Sequence, residues 1–397
     1  MKKSADVVII GGGVIGTSIA YYLSKQGIKA ILLEKDDLAS GSSGACDIDI
    51  ILQSKNPGIH LQLAMESAKM YKNLTDELDF NIEYKTCGGI ILIENEDQFK
   101  IMKDFVKRQK AIGLQVKLLD LKEASEIQPG LSPHLIGSTY SPQDAHVNPM
   151  RLCQAFAKAA KELGTEVYLN TGVLDIRLEK GKVKSVITSK GEIRTKTVIN
   201  AAGVYAPMIG EMVGLSLPIK PRRGQIIVTE PVPKLVMADV LCAKYIVAKY
   251  NPKLPEGSDN PETRLGVGLS LSQTHDGQIL IGATREFVGY NKNTTHEALR
   301  AILRNATRLV PALKSIHAIR SFAGLRPYTP DGLPLLGQVE GIQGFIMAAG
   351  HEGDGIALSP VTGRIISELI VDGKTFMDIS CLSPARFGSL TDREKVI

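Results

Sequence analysis

Residues 5–34 constrain the fold more than any other stretch of this 397-residue chain. Ala5-Asp6-Val7-Val8-Ile9-Ile10 is a compact β-branched run, which predicts a strand buried on both faces. It feeds straight into Gly11, Gly13 and Gly16, spaced GxGxxG. Ile15, Ile19 and Leu23 then recur at helical spacing up to Gly27, which suits a helix C-terminal cap. Ala30 to Leu33 reads as a second buried strand, and it ends at Glu34, 18 residues beyond Gly16. Strand, glycine turn, helix, strand and acid in this order form the dinucleotide-binding fingerprint.

Each residue has a mechanical reason. Gly11 permits the tight turn, Gly13 lets the backbone approach a pyrophosphate, and Gly16 allows the helix to pack closely on the strand. The helix N-terminus attracts phosphate. Glu34 is placed to accept hydrogen bonds from ribose hydroxyls and would repel a 2′-phosphate, which argues against NADP. NAD and FAD bind such a unit alike, so residues beyond Glu34 must separate them. Ala39-Ser40-Gly41-Ser42-Ser43-Gly44-Ala45 supplies small residues and hydroxyls where an extended cofactor could continue, but a flexible loop explains the same residues.

Composition closes other routes. With 44% hydrophobic and 22% charged residues, the chain is of ordinary globular type, long enough for two or three domains. Its 47 Lys+Arg against 42 Asp+Glu are spread along the sequence, too evenly for a dedicated nucleic-acid binder. Lys220, Arg222 and Arg223 form the densest basic cluster and read as a solvated face. The five cysteines, Cys46, Cys87, Cys153, Cys242 and Cys381, lie dozens of residues apart without CxxC or CxxH spacing, so neither a zinc site nor an iron–sulfur cluster is expected. The apolar run Val7 to Ile10 is too short for a signal peptide, and no stretch reaches the ~18 apolar residues of a membrane span. A cytoplasmic protein is the default expectation.

Farther along, helices are predicted around Leu63 to Leu78, Phe99 to Val106 after the cap-like Asp97, Leu152 to Leu163 and Leu299 to Val310. Strands are predicted at Gly89 to Ile93, Glu166 to Leu169, Val183 to Thr188, Thr197 to Ala201, Gln225 to Thr229, Leu265 to Leu269 and Gln278 to Gly282. Asn251 to Glu262 reads as a surface insertion. His146 reads as a structural residue in a loop before a helix, and Tyr245 begins an apolar strand-like segment. Two dense motifs lie near the C-terminus. In Gly324-Leu325-Arg326-Pro327-Tyr328-Thr329-Pro330-Asp331-Gly332-Leu333-Pro334, glycines and prolines are expected to hold an arginine and an aspartate in irregular backbone. Ala348-Ala349-Gly350-His351-Glu352-Gly353-Asp354-Gly355-Ile356 leads into a helix whose first amides suit a group that develops negative charge.

The N-terminal fingerprint, the small residues after Glu34, Val198 to Gly203 and the two C-terminal motifs together resemble the FAD-dependent D-amino acid oxidase superfamily, over nearly the whole chain. Gln273 to Gly282 and the last motif are most similar to the β subunits of heteromeric dehydrogenases of sarcosine, proline, hydroxyproline or opines. Cyanide-forming glycine dehydrogenase is similar too. The resemblance implies an α/β, two-domain flavoprotein: a Rossmann-like FAD-binding domain from residues 1–85, 145–222 and 325–380, an inserted antiparallel-sheet substrate domain from 86–144 and 223–324, and a tail, 381–397.

It also implies a non-covalent FAD with its adenosine half on Gly11, Gly13, Val14, Ile15, Gly16, Glu34 and Lys35. Ser42, Ser43 and Gly44 would approach the pyrophosphate, Val173 the adenine, and Ala202 and Gly203 the middle of the cofactor. Gly350, Gly353, Asp354, Gly355 and Ile356 would lie at the flavin ring's carbonyl edge. Arg326 is the position that grips a substrate carboxylate, a task that a forked guanidinium performs well, with Tyr245 and His351 as further catalytic candidates.

The implied activity is oxidation of a small amino acid, with a secondary amine, to an imine. Electrons would leave through flavin- or iron–sulfur-containing partner subunits, and a second flavin, FMN, at a subunit interface is compatible with the resemblance. The alternatives are a self-contained glycine or sarcosine type oxidase using oxygen, and a flavin-binding subunit that does not turn over. The chain departs from the pattern at Ile48 and Asp49, where relatives carry small residues near the flavin, and at Phe322, where many have Trp.

Overall fold

The computed structural model describes residues 2–250, 259–388 and 390, so the insertion expected over residues 251–262 lies largely outside the described residues. The fingerprint folds as read. Strand Val7–Ile10 enters helix Val14–Lys25 through the glycine turn, and Ala30–Leu33 returns parallel to it. These strands sit within a six-stranded sheet in the order Leu335–Gln338, Phe345–Ala349, Val198–Asn200, Val7–Ile10, Ala30–Leu33, Glu166–Tyr168. Only the first pair is antiparallel.

Strand parity explains why those sequences are continuously apolar. Val7, Ile9 and Leu32 pack under helices Val14–Lys25, Pro149–Glu162 and Gly355–Val371. Val8, Ile10, Ile31 and Leu33 feed a second core against the three-stranded sheet of residues 173–194. Buried on both faces, such strands have no polar side to show.

The second large sheet has eight strands in the order Ala318–Tyr328, Lys220–Thr229, Ile279–Gly282, Ser270–Gln273, Asp239–Cys242, Gly89–Ile93, Gly137–Ser141, Lys117–Leu119. It is antiparallel except for the parallel pair Asp239–Cys242 and Gly89–Ile93, and helix His296–Leu309 packs on its core. The long strands Lys220–Thr229 and Ala318–Tyr328 pair along their length and run straight through residues 222/223 and 324/325. They carry the chain from one sheet towards the other as continuous backbone.

Four local expectations are corrected. The segment 265–269 is not a strand: Gly266 has φ +60°, which breaks an extended run, and pairing begins at Ser270. Tyr245 lies in helix Ala243–Tyr250, because Ala243 and Ile246, one turn apart, bury together. Gly324 to Tyr328 is regular strand. Pro327 faces Pro221 directly, so both missing N–H donors fall on one rung of the ladder. The cap of helix Glu96–Ala111 is Asn95, whose side chain accepts from Gln98 N at 3.0 Å, while Asp97 sits in the first turn. Among the described residues, no helix is long and apolar enough to cross a membrane.

Candidate active site

The C-terminal ends of the first two strands open into a cavity whose lining runs from Ile10 and Leu33 to Gly224, Gly324 and Arg326 on the eight-stranded sheet. Its near end is the glycine turn. Gly11 has φ +118°, and a Cβ there would lie 2.5 Å from the Ala201 carbonyl oxygen. A Cβ at Gly16 would lie 1.9 Å from the Gly11 carbonyl oxygen. Both glycines are backbone-packing requirements. Gly13, Val14 and Ile15 line the cavity, and a Cβ at Gly13 would meet only Ser43 Oγ, at 3.1 Å. Glu34 is buried. Its Oε2 accepts from Gly12 N at 2.7 Å and its Oε1 from Asp36 N at 2.9 Å, so each oxygen keeps a lone pair for a hydroxyl. Lys35 lies over the Tyr205 ring, 4.0 Å from its centroid.

The middle is tied together by small residues. Ser43 Oγ accepts from Val14 N at 3.0 Å, and Ser42 Oγ donates to the Leu325 carbonyl at 2.6 Å. A Cβ at Gly324 would sit 1.9 Å from the Ala45 carbonyl oxygen, so the small-residue segment lies directly against the arginine strand. Val173, Ala202 and Gly203 line the wall. Gly353, Gly355 and Ile356 line the opposite side at the start of helix Gly355–Val371, which has no side-chain cap and no acid in its first turn. The amides of a first helical turn have no intrahelical acceptor.

Some expected residues do not line the cavity. Gly16 and Gly44 face backbone, a Cβ at Gly44 lying 2.3 Å from the Ala39 carbonyl oxygen, and a Cβ at Gly350 would meet Thr329 Cγ2 at 2.7 Å. Asp354 turns away to Lys55 Nζ (2.7 Å) and His60 Nε2 (3.1 Å), all three buried. His351 lines the cavity, yet its Nε2 is 3.1 Å from Thr362 Oγ1, and burial pulls its pKa down to about 3. It is a neutral residue that fastens the loop.

Arg326 occupies the far end. A Cβ at Gly224 would lie 2.3 Å from its Nη1, and one at Gly353 would lie 3.4 Å from its Cδ, so the guanidinium is wedged between two glycines. Nη1 donates to the Thr284 carbonyl at 3.0 Å. Although burial opposes its charge, Tyr245, Glu352 and Asp47 hold its pKa above the usual arginine value. Tyr245 lines the same end of the cavity.

Several residues at this end carry no local signal in the sequence. Arg222 and Arg223 are not a solvated face: they are 1% and 4% exposed. Arg222 pairs with buried Glu352 on the last motif, and Arg223 with Glu286 at 2.7 Å. Both arginines sit mid-strand on opposite faces of the sheet, and each face supplies a carboxylate. Asp47 lines the cavity, and Ser270 Oγ lies 3.2 Å from its Oδ2 and 3.1 Å from Asp49 Oδ2. Burial pushes both carboxyls up, and Asp239 and Asp47 push Asp49 further. Ile48 and Phe322 both pack against one small apolar cluster that holds Ile226 and Leu280. Cys87, His146 and Asp239, remote in sequence, converge within 4.8 Å. Cys87 Sγ donates to Asp239 Oδ2 at 3.3 Å, and burial pushes the thiol up, which keeps it protonated.

A parallel-sheet dinucleotide cradle thus opens on to a guanidinium at the edge of a second, mostly antiparallel sheet. The chain belongs to the FAD dependent oxidoreductase (DAO) family, which it matches over residues 6–369. It is 29% identical to hydrogen cyanide synthase subunit HcnC of Pseudomonas protegens, over 98% of each chain. It is 32% identical to glycine oxidase of Geobacillus kaustophilus, over 97% of this chain and 98% of that one. The solved L-proline dehydrogenase of P. horikoshii superposes with a TM-score of 0.88 at 30% identity, covering 98% of both chains.

Proposed function

We propose that this chain oxidises the C–N bond of a small amino acid, one with a secondary amine such as proline, hydroxyproline, sarcosine or an opine, and that partner subunits take the electrons onward. The observation that carries the reading is Arg326, a charged guanidinium facing the cavity between Gly224 and Gly353 with Tyr245 beside it.

The residues fit FAD. The glycine turn brings Gly13, Val14 and Ile15 to the cavity wall, Glu34 retains acceptor capacity, and the lining continues from there to Arg326. Gly11, Gly13, Val14, Ile15, Glu34 and Lys35 would hold the adenosine half with Val173. Ser42, Ser43, Ala202 and Gly203 would hold the middle, and the amides of Gly353, Gly355 and Ile356 the ring. Gly16, Gly44, Gly350 and Asp354 act behind them, setting the backbone. When bound, FAD supplies a two-electron acceptor.

The protein's part is positioning. Arg326 forks two hydrogen bonds on to the substrate carboxylate, which fixes orientation as well as charge. Tyr245 caps the same carboxylate. The uncapped helix start at Gly355 places donors where negative charge develops, and such preorganised donors strengthen in the transition state. Because His351 is neutral and engaged with Thr362, it holds the turn and does not act as a base at neutral pH.

Similarity to a protein named as a subunit, HcnC, supports transfer to partners, and a second flavin, FMN, at a subunit interface belongs to that reading. Similarity to glycine oxidase supports the alternative of a self-contained oxidase. The test is a visible spectrum of the purified protein, followed by anaerobic addition of proline, hydroxyproline, sarcosine, glycine and opines. At least one should bleach the flavin band. Oxygen consumption by the isolated chain then separates the oxidase from the partner-dependent dehydrogenase.

A further inference from the structure

Arg285 is 1% exposed, and its Nε, Nη1 and Nη2 are all buried without a hydrogen-bond partner among the described residues. Its place in the sheet shows where it points. Arg223 and Glu286 form an antiparallel bridge, with backbone hydrogen bonds of 2.8 and 3.0 Å in the two directions. The side chains of Arg223, Gln225 and Thr284 all meet the Glu286 carboxylate, at 2.7, 2.8 and 2.7 Å. Those four residues share one face, and side chains alternate along a strand. Arg285, between Thr284 and Glu286, therefore projects to the other face. Gly224 and Arg222 lie on that face, as does Arg326, which is in register with Arg222. It is the face that Gly224, Ile226, Gly324 and Arg326 present to the cavity; Arg285 itself does not line the cavity but lies behind the Tyr245 ring, which does.

The cations there outnumber their partners. Arg222 has Glu352, and Arg326 has the Thr284 carbonyl with Asp47 nearby. Among the described residues, Arg285 lies against the Tyr245 ring, whose centroid is 3.8 Å from its Cζ, and Tyr245 lines the cavity. Stacking on an aromatic face does not repay the desolvation of a guanidinium, and a buried cation with all its donors unused lacks an anion. A cofactor pyrophosphate already has the start of helix Val14–Lys25 and the Ser42-Ser43 segment to hold it.

We infer that Arg285 binds a second carboxylate of the substrate, so that the preferred substrate is a secondary-amine diacid. Arg326 takes the carboxylate next to the oxidised carbon, and Arg285, beneath Tyr245, takes the distal one. This assignment rests on the proposed function, in that Arg326 must already hold an amino acid.

Three matched compounds test it in the FAD-loaded protein. Sarcosine has one carboxylate, iminodiacetate is sarcosine with one more, and N-(2-carboxyethyl)glycine carries the second a carbon farther away. Affinities are read from perturbation or anaerobic bleaching of the flavin band. At least one diacid should bind about 30-fold or more tightly than sarcosine, and Arg285→Met should collapse that ratio towards one, with Arg285→Lys intermediate.

A readout without turnover is the rise in melting temperature with glutarate against butyrate, which should favour glutarate in the natural protein and show no preference in Arg285→Met. If that variant does not fold, the natural protein's ranking of the compounds decides. Sarcosine acting as well as both diacids overturns the role of Arg285 and leaves the proposed function standing. So does a loss in Arg285→Met that is equal for all three compounds. Failure of every amino acid to perturb the flavin overturns both.

Discussion

The two ends of the cavity are built in opposite ways. At the near end, residues 7–34 form a local unit in which Gly11 and Gly16 answer to the backbone of Ala201 and Gly11, and Gly12 and Gly13 to the side chains of Glu34 and Ser43. At the far end, Asp47, Arg222, Gly224, Tyr245, Arg285, Arg326 and Glu352 come from separate segments spread over residues 47–352, brought together by the register of two long strands and one turn. A local unit can only be packed correctly or incorrectly. The far end is held by charge, with Arg222 paired to Glu352 and the pKa of Arg326 raised by Tyr245, Glu352 and Asp47. The comparison predicts that damage at the near end is read in cofactor content and stability, and damage at the far end in kinetics.

The largest effect belongs to Arg326→Ala. It should lower kcat/KM by roughly 30- to several-thousand-fold, about 2–5 kcal/mol, with the flavin retained. Steady-state kinetics beside a visible spectrum check both halves, and a colourless variant would blur the division between the ends. Gly224→Ala comes next. Its Cβ would stand 2.3 Å from Arg326 Nη1, and displacing the guanidinium by about an ångström should cost on the order of 10- to 100-fold in kcat/KM, again without loss of colour.

Gly16→Ala works the other way. A Cβ 1.9 Å from a backbone carbonyl forces the helix off the strand, which should cost about 1–3 kcal/mol in denaturant unfolding and leave the protein largely free of FAD. Full flavin content with slow turnover would break the comparison.

The smallest effect is on pH dependence. With a folded pKa of about 3 against an ordinary 6.5, His351 binds a proton more readily once the chain unfolds, so stability falls as pH drops from 6.5 towards 3. The contribution is at most about 1.4 kcal/mol per pH unit. His351→Asn should flatten that part of a melting-temperature profile and change little at pH 7.5.

Legibility in the sequence divides along the same line. The strand, glycine turn, helix and acid could be read because their spacing is fixed by local packing, and Arg326 could be read because it lies in a dense motif. The pairing of Arg222 with Glu352 could not, since a basic cluster looks alike on a solvated face and mid-strand beneath a carboxylate. Pro221 facing Pro327 hid a regular strand, and Gly266 at φ +60° broke an apparent one. Cys87, His146 and Asp239 meet only through sheet pairing, which no linear spacing reveals.

The central claim is that an amino acid's carboxylate on Arg326 sets its C–H bond for oxidation by FAD, and anaerobic titration of the purified protein with the amino acid panel tests it most directly. The account predicts a yellow protein whose visible band is bleached by at least one member and which, as Arg326→Ala, stays yellow at the same concentration. A colourless protein, or bleaching that survives the loss of Arg326 unchanged, would contradict it.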